Sequence, residues 1–210
     1  MKKLICRKKV LIILSLLFML TSSLIWCAGV EREGAALSAK LIRLHIVADS
    51  DTNSAQRLKL LVRDRVLDRL TPALEGCASA ADAAAVISRN LKSIESAAEE
   101  ALREEGCCLP VSAVLKKEVF DKREYDSFTL PAGEYTALRL VIGGGNGHNW
   151  WCVVFPPLCL SSAIEDDEDV LAVLNEDEVE LITEEGYVVK FKVLEILTWL
   201  KEKFIKAKSS

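Results

Sequence analysis

The spacing of apolar positions changes several times along the chain, and each change predicts an element. Residues 41–48 set Ile42, Leu44 and Ile46 against Arg43 and His45, a period of two that predicts a strand buried on one face. Turn formers run from Asp49 to Ser54. Leu58, Leu61, Val62, Val66 and Leu70 then recur at helical spacing over 55–70, with Thr71 and Pro72 expected to close the helix. The Asp49-Ser50-Asp51 turn is expected to cap it. Ile87, Leu91, Ile94, Ala98 and Leu102 predict a second helix over 79–105, with Gly106 as its stop. Residues 111–120, 135–142 and 150–155 read as strands, rich in β-branched and aromatic side chains. The glycine-rich stretch 143–149 is expected to join the last two as a hairpin, and Pro156-Pro157 to end it. An amphipathic helix over 190–206 comes last, with Phe191, Leu194 and Leu197 in one row.

The N-terminus differs from all of this. Residues 10–26 carry no charge, and Lys2, Lys3, Arg7, Lys8 and Lys9 precede them without an acid. A basic stretch before an apolar one is the pattern of a secretory signal, and seventeen residues also sit at the lower limit of a membrane span. Residues 1–29 are therefore a signal peptide or an N-terminal membrane anchor. The fold expected for the rest is α+β: a small, mostly antiparallel sheet covered by two long helices, plus the C-terminal amphipathic helix. Residues 37–160 form that domain, 161–187 an acidic connecting segment, and 188–210 the last helix.

Charge narrows the partners. Five of the 27 cations belong to the leader, so the remainder sets 22 cations against 31 acids, a poor match for nucleic acid. Eleven acids fall between Glu165 and Glu185, and the block 165–169 reads as a solvated connection. The last helix is basic, which suits packing on the domain or contact with a membrane surface or partner.

No catalytic template is filled. The glycine loop lacks the lysine and the following helix of a phosphate site. The cysteines have neither the Cys-x-x-Cys spacing of a thiol oxidoreductase nor the close pairs of a zinc site, so no cofactor or metal is expected. Cys152 with His148 is the one nucleophile–base pairing to carry forward, as a thiol-dependent enzyme. Cys152 and Cys159 bracket a Pro-Pro bend and are a candidate disulfide, with plain core burial as the alternative. Cys107-Cys108 reads as one buried and one exposed thiol. Alternation sends Trp150 and Trp151 to opposite sides of their strand. Together with Asn149, Pro156 and Pro157 they are candidate partner-binding residues, since aromatic anchors beside a bend make good hot spots. Arg43, Asp49, Asp51, Arg63 and Asp64 are a candidate polar network.

These residues resemble the stage II sporulation protein R family. The resemblance is carried by 41–51, by Leu58-Lys59 with Val62-Arg63-Asp64 and Val66, by 131–135, and above all by Asn149 through Cys159. It implies a signalling protein, not an enzyme, made in the forespore of an endospore-forming bacterium and exported into the space between forespore and mother-cell membranes. There it would activate a membrane-embedded aspartic protease that processes a mother-cell sigma-factor precursor. A passive envelope-binding domain is the remaining alternative.

Overall fold

The computed structural model describes residues 2–125, 128–158, 173–183 and 188–208. Helix α1 (Lys2–Lys40) leads directly into β1 (Ile42–Val47), followed by α2 (Asn53–Leu74), α3 (Ala80–Glu104) and β2 (Val111–Phe120). Two short strands, β3 (Arg123–Glu124) and β4 (Thr129–Leu130), pair with each other. Then come β5 (Gly133–Ile142), β6 (Asn149–Phe155), α4 (Glu176–Thr183) and α5 (Val188–Lys208). The expected α+β class and all four main strands are present. The order across the main sheet is β2-β5-β1-β6, with β1 parallel to β5 and the other two pairings antiparallel.

That order corrects the hairpin. β5 and β6 are not neighbours, because β1 lies between them. The glycine-rich connector instead crosses the end of β1. A close crossing needs small residues: a Cβ on Gly147 would strike the backbone of Ser50, and Gly143 sits at φ 54° against Asp49. Asp49 and Asp51 hold this loop, accepting from Gly144 N at 2.7 Å and His148 N at 2.6 Å. Their expected capping role falls to Thr52, whose hydroxyl accepts from Ala55 N at 3.3 Å. Pro72 does not close α2 but lies inside it, and the helix runs to Leu74.

β1 also departs from expectation. All six of its residues are buried, including Arg43 and His45, because the sheet is covered on both faces. On one face, Ile42, Leu44 and Ile46 meet the apolar rows of α2 and α3. On the other, Val30 and Leu37 of α1, Val179 and Ile182 of α4, and Phe191 and Leu194 of α5 form a second core with Tyr135, Ala137 and Val153. The folded unit thus reaches beyond 37–160 at both ends, and the acidic stretch 161–187 contains α4. The block 165–169 lies outside the described residues. Edge strand β2 is protected by α3, whose Glu95 and Glu99 accept from Ala113 N at 2.9 Å and Val111 N at 3.2 Å. Cys107 is half-buried and Cys108 exposed, both as free thiols.

Helix α1 joins two environments without a break. From Leu11 to Ile25 its large apolar side chains are exposed, while Val30 and Leu37 are packed in the second core. Among the described residues it is the one helix long and apolar enough to cross a membrane.

Candidate functional site

The second face of the sheet concentrates polar and aromatic side chains where a strand core would ordinarily be aliphatic. Alternation along β1 turns Arg43 and His45 toward it, and the register with β5 and β6 sets His45 beside Arg139 and Trp151. Glu118 of β2 lies two strands away, beside β5.

His45 is held at both ring nitrogens. Nδ1 is 2.9 Å from Glu118 Oε2, and Nε2 is 2.9 Å from Asn149 Oδ1. Its ring stacks on Trp151 with centroids 5.7 Å apart and meets the edge of Phe120 at 6.1 Å. Arg123 places its guanidinium 3.8 Å from the centre of the Trp151 ring, making a cation–aromatic pile with His45 beneath. Glu118 also receives Lys116 Nζ at 3.0 Å and Arg139 Nη1 at 3.2 Å. Burial raises the carboxyl pKa, but the hydrogen bonds from His45 and Lys116 outweigh it and hold the group below the usual range. An open groove of about 400 Å³ runs over this cluster, lined by His45, Glu118, Phe120, Asp121, Arg123 and Trp151.

Arg43 sits deeper, with no exposed surface. Its guanidinium lies 4.1 Å from the Phe120 ring centre and 5.1 Å from that of Tyr135, and Nη2 donates to Tyr125 Oη at 2.8 Å. Among the described residues, Nε and Nη1 have no hydrogen-bond partner. A planar, weakly hydrated guanidinium tolerates such stacking where an ammonium would not. Tyr135 donates to Pro131 O at 2.7 Å, and burial pushes its phenol well above the ordinary range.

The candidate partner-binding residues divide between regions. Asn149 and Trp151 join the His45 cluster. Trp150 projects the other way, against the α2–α3 core, with Arg63 at 5.0 Å from its ring centre. Pro156 is buried, and Pro157 lines a separate groove with Leu74 and Cys77. The candidate polar network does not converge either. Asp49 and Asp51 hold the glycine loop, Arg63 pairs with Asp64 at 2.6 Å on α2, and Arg43 is enclosed by rings.

Geometry disposes of the thiol pairing. Cys152 is buried and disulfide-bonded, so it offers no thiolate; Cys159 lies outside the described residues. His148 is exposed, with Nδ1 2.5 Å from Asp51. Among the described residues no group of His, Cys, Asp and Glu is placed to hold a metal ion.

Two contributors gave no sequence signal. Glu118 and Arg123 reach the site through a pairing across the sheet and a short side sheet, neither visible in local periodicity. Lys59, one of the residues that carry the resemblance, has its place away from this cluster. It is buried on α2 and donates to Gln56 Oε1 at 2.6 Å and His148 O at 3.1 Å, tying the helix to the glycine loop. Burial lowers its pKa, and the nearby Asp51 partly offsets this.

Stage II sporulation protein R of Bacillus subtilis (strain 168) is 33% identical over 174 residues, spanning 78% of each chain. No solved structure matches. The stage II sporulation protein R family matches residues 38–165, a span that runs from the end of α1 through β6. His45, Glu118, Arg123, Asn149 and Trp151 all fall within it, and the chain belongs to the stage II sporulation protein R family.

Proposed function

We propose that this protein carries a sporulation signal across a membrane, from the forespore to a membrane-embedded aspartic protease of the mother cell. The observation that carries the reading is the continuity of α1 with the folded domain. Its exposed apolar stretch ends within a few residues of Val30, the first side chain packed in the second core. The five leading cations stay on the cytoplasmic side, so translocation delivers the domain to the intermembrane space. Whether or not the apolar part is later removed, Val30 onward remains packed on the domain.

In this reading the His45–Trp151 groove meets the outer face of the protease. Trp151 and Arg123 offer the aromatic and guanidinium groups that dominate binding energy at protein interfaces. Binding that favours only the active conformation of the protease would raise its active fraction, and precursor cleavage would follow. The domain acts as a trigger and performs no hydrolysis itself.

The test is co-expression in non-sporulating cells of sigma-factor precursor and protease, with and without this chain. Cleavage is expected only when the exported chain is present. Unchanged precursor beside an exported, folded chain and a competent protease would refute the reading.

A further inference from the structure

We infer that α5 lies on the membrane surface beside the point where α1 enters, and inserts Trp199 among anionic lipids. This rests on the reading of α1 as a membrane-inserted helix. The contacts between the two helices set the level. Leu194 packs against Gly34, Lys190 pairs with Glu33 at 2.8 Å, and Lys201 pairs with Glu31. Positions 31–34 lie five to eight residues past Trp26, the last of the exposed large apolar side chains on α1, or about 8–12 Å along the helix. That distance matches the headgroup layer, roughly 5–8 Å deep on each side of the hydrocarbon, plus part of a helix radius.

The course of α5 is equally informative. From Leu194 to Lys201 it advances seven residues while its contact on α1 moves only from Gly34 to Glu31. It therefore crosses α1 steeply, closer to the membrane plane than to the membrane normal. Its two sides differ. Phe191 and Leu194 are buried in the second core, whereas Ile196 and Trp199 are each 55% exposed and Leu200 36%. Ile196, Trp199, Leu200 and Lys203 follow the spacing of one helical face, with Lys203 Nζ 4.6 Å from the centre of the Trp199 ring.

An exposed apolar row flanked by lysine is the composition of an interfacial helix. Six lysines against two glutamates over Val188–Lys208 favour an anionic surface. Trp26, 45% exposed at the end of the apolar run, and Trp199 would form one aromatic belt from two helices.

The experiment uses the full chain reconstituted in phosphatidylglycerol-containing vesicles, with and without brominated acyl chains. Trp26→Phe and Trp199→Phe isolate each ring's share of the emission. Quenching of the Trp199 share by brominated lipid is expected, with a smaller loss in phosphatidylcholine alone and in Lys201→Glu/Lys203→Glu. A quenched Trp26 share beside an unquenched Trp199 share would overturn the inference while leaving α1 inserted. If neither share is quenched, the insertion of α1 fails and the inference falls with it.

Discussion

The two faces of the main sheet are both covered, yet they are built from different chemistry. Toward α2 and α3, β1 contributes Ile42, Leu44 and Ile46 to an aliphatic core closed by Val62, Val66 and Ile87. Toward α1 and α5 the same strand contributes Arg43 and His45, buried among Phe120, Tyr135 and Trp151. Aliphatic burial is favourable without orientation, whereas each buried polar group needs a placed partner. His45 has such partners at both ring nitrogens, whereas among the described residues two nitrogens of the Arg43 guanidinium have none. The first face is an aliphatic core, whereas the second combines a core of its own with the His45–Trp151 groove that the proposed function assigns to the partner.

That contrast can be tested by substitution at adjacent positions. Leu44→Ala should cost about 2–5 kcal/mol, as a fully buried leucine truncated in a packed core. Arg43→Met, one residue away, should cost much less or even stabilise, since burying a cation carries a desolvation penalty that an apolar side chain avoids. Urea midpoints for both would decide; equal losses would make the second face an ordinary core. At the crossover, Gly147→Ala should cost about 1–3 kcal/mol by driving a methyl into Ser50, read in the same unfolding curves. Removing the cap with Thr52→Ala should cost about 1 kcal/mol, and Thr52→Ser should recover most of it.

The smallest effect is one of pH. Glu118 titrates lower in the folded protein than in the unfolded chain, so its stabilisation is complete above the unfolded value of about 4.3. It is lost as pH falls through the lower folded value. Glu118→Gln should flatten the acid limb of stability in that window. Glu95, lowered by its hydrogen bond from Ala113 N with a contribution from Lys92 that together outweigh burial, should act in the same direction from the α3 side. Denaturant midpoints measured from neutral pH down to about pH 3 would separate the two.

Much of this fold was legible from periodicity. The apolar rows of α2 and α3 and all four main strands emerge from local spacing, because each element buries a face that its own residues define. Pairing is another matter. A glycine-rich link between two strands reads as a hairpin, and only the insertion of β1 between β5 and β6 shows that it is a crossing. The Asp49 and Asp51 carboxylates resemble caps because their loop partners lie 95 and 97 residues away. His45 looked like the outward face of a half-buried strand for the same reason, since Glu118 and Asn149 are 73 and 104 residues distant. Trp151 stood out by composition, but its stacking partners did not.

The most direct test of the second face as the signalling face is precursor processing with two single variants of the exported chain. Trp151→Ala removes the ring between His45 and Arg123, and Trp150→Ala removes the ring on the opposite face. With export and folding shown for both, cleavage should be lost with Trp151→Ala and retained with Trp150→Ala. Undiminished cleavage with Trp151→Ala would contradict the account.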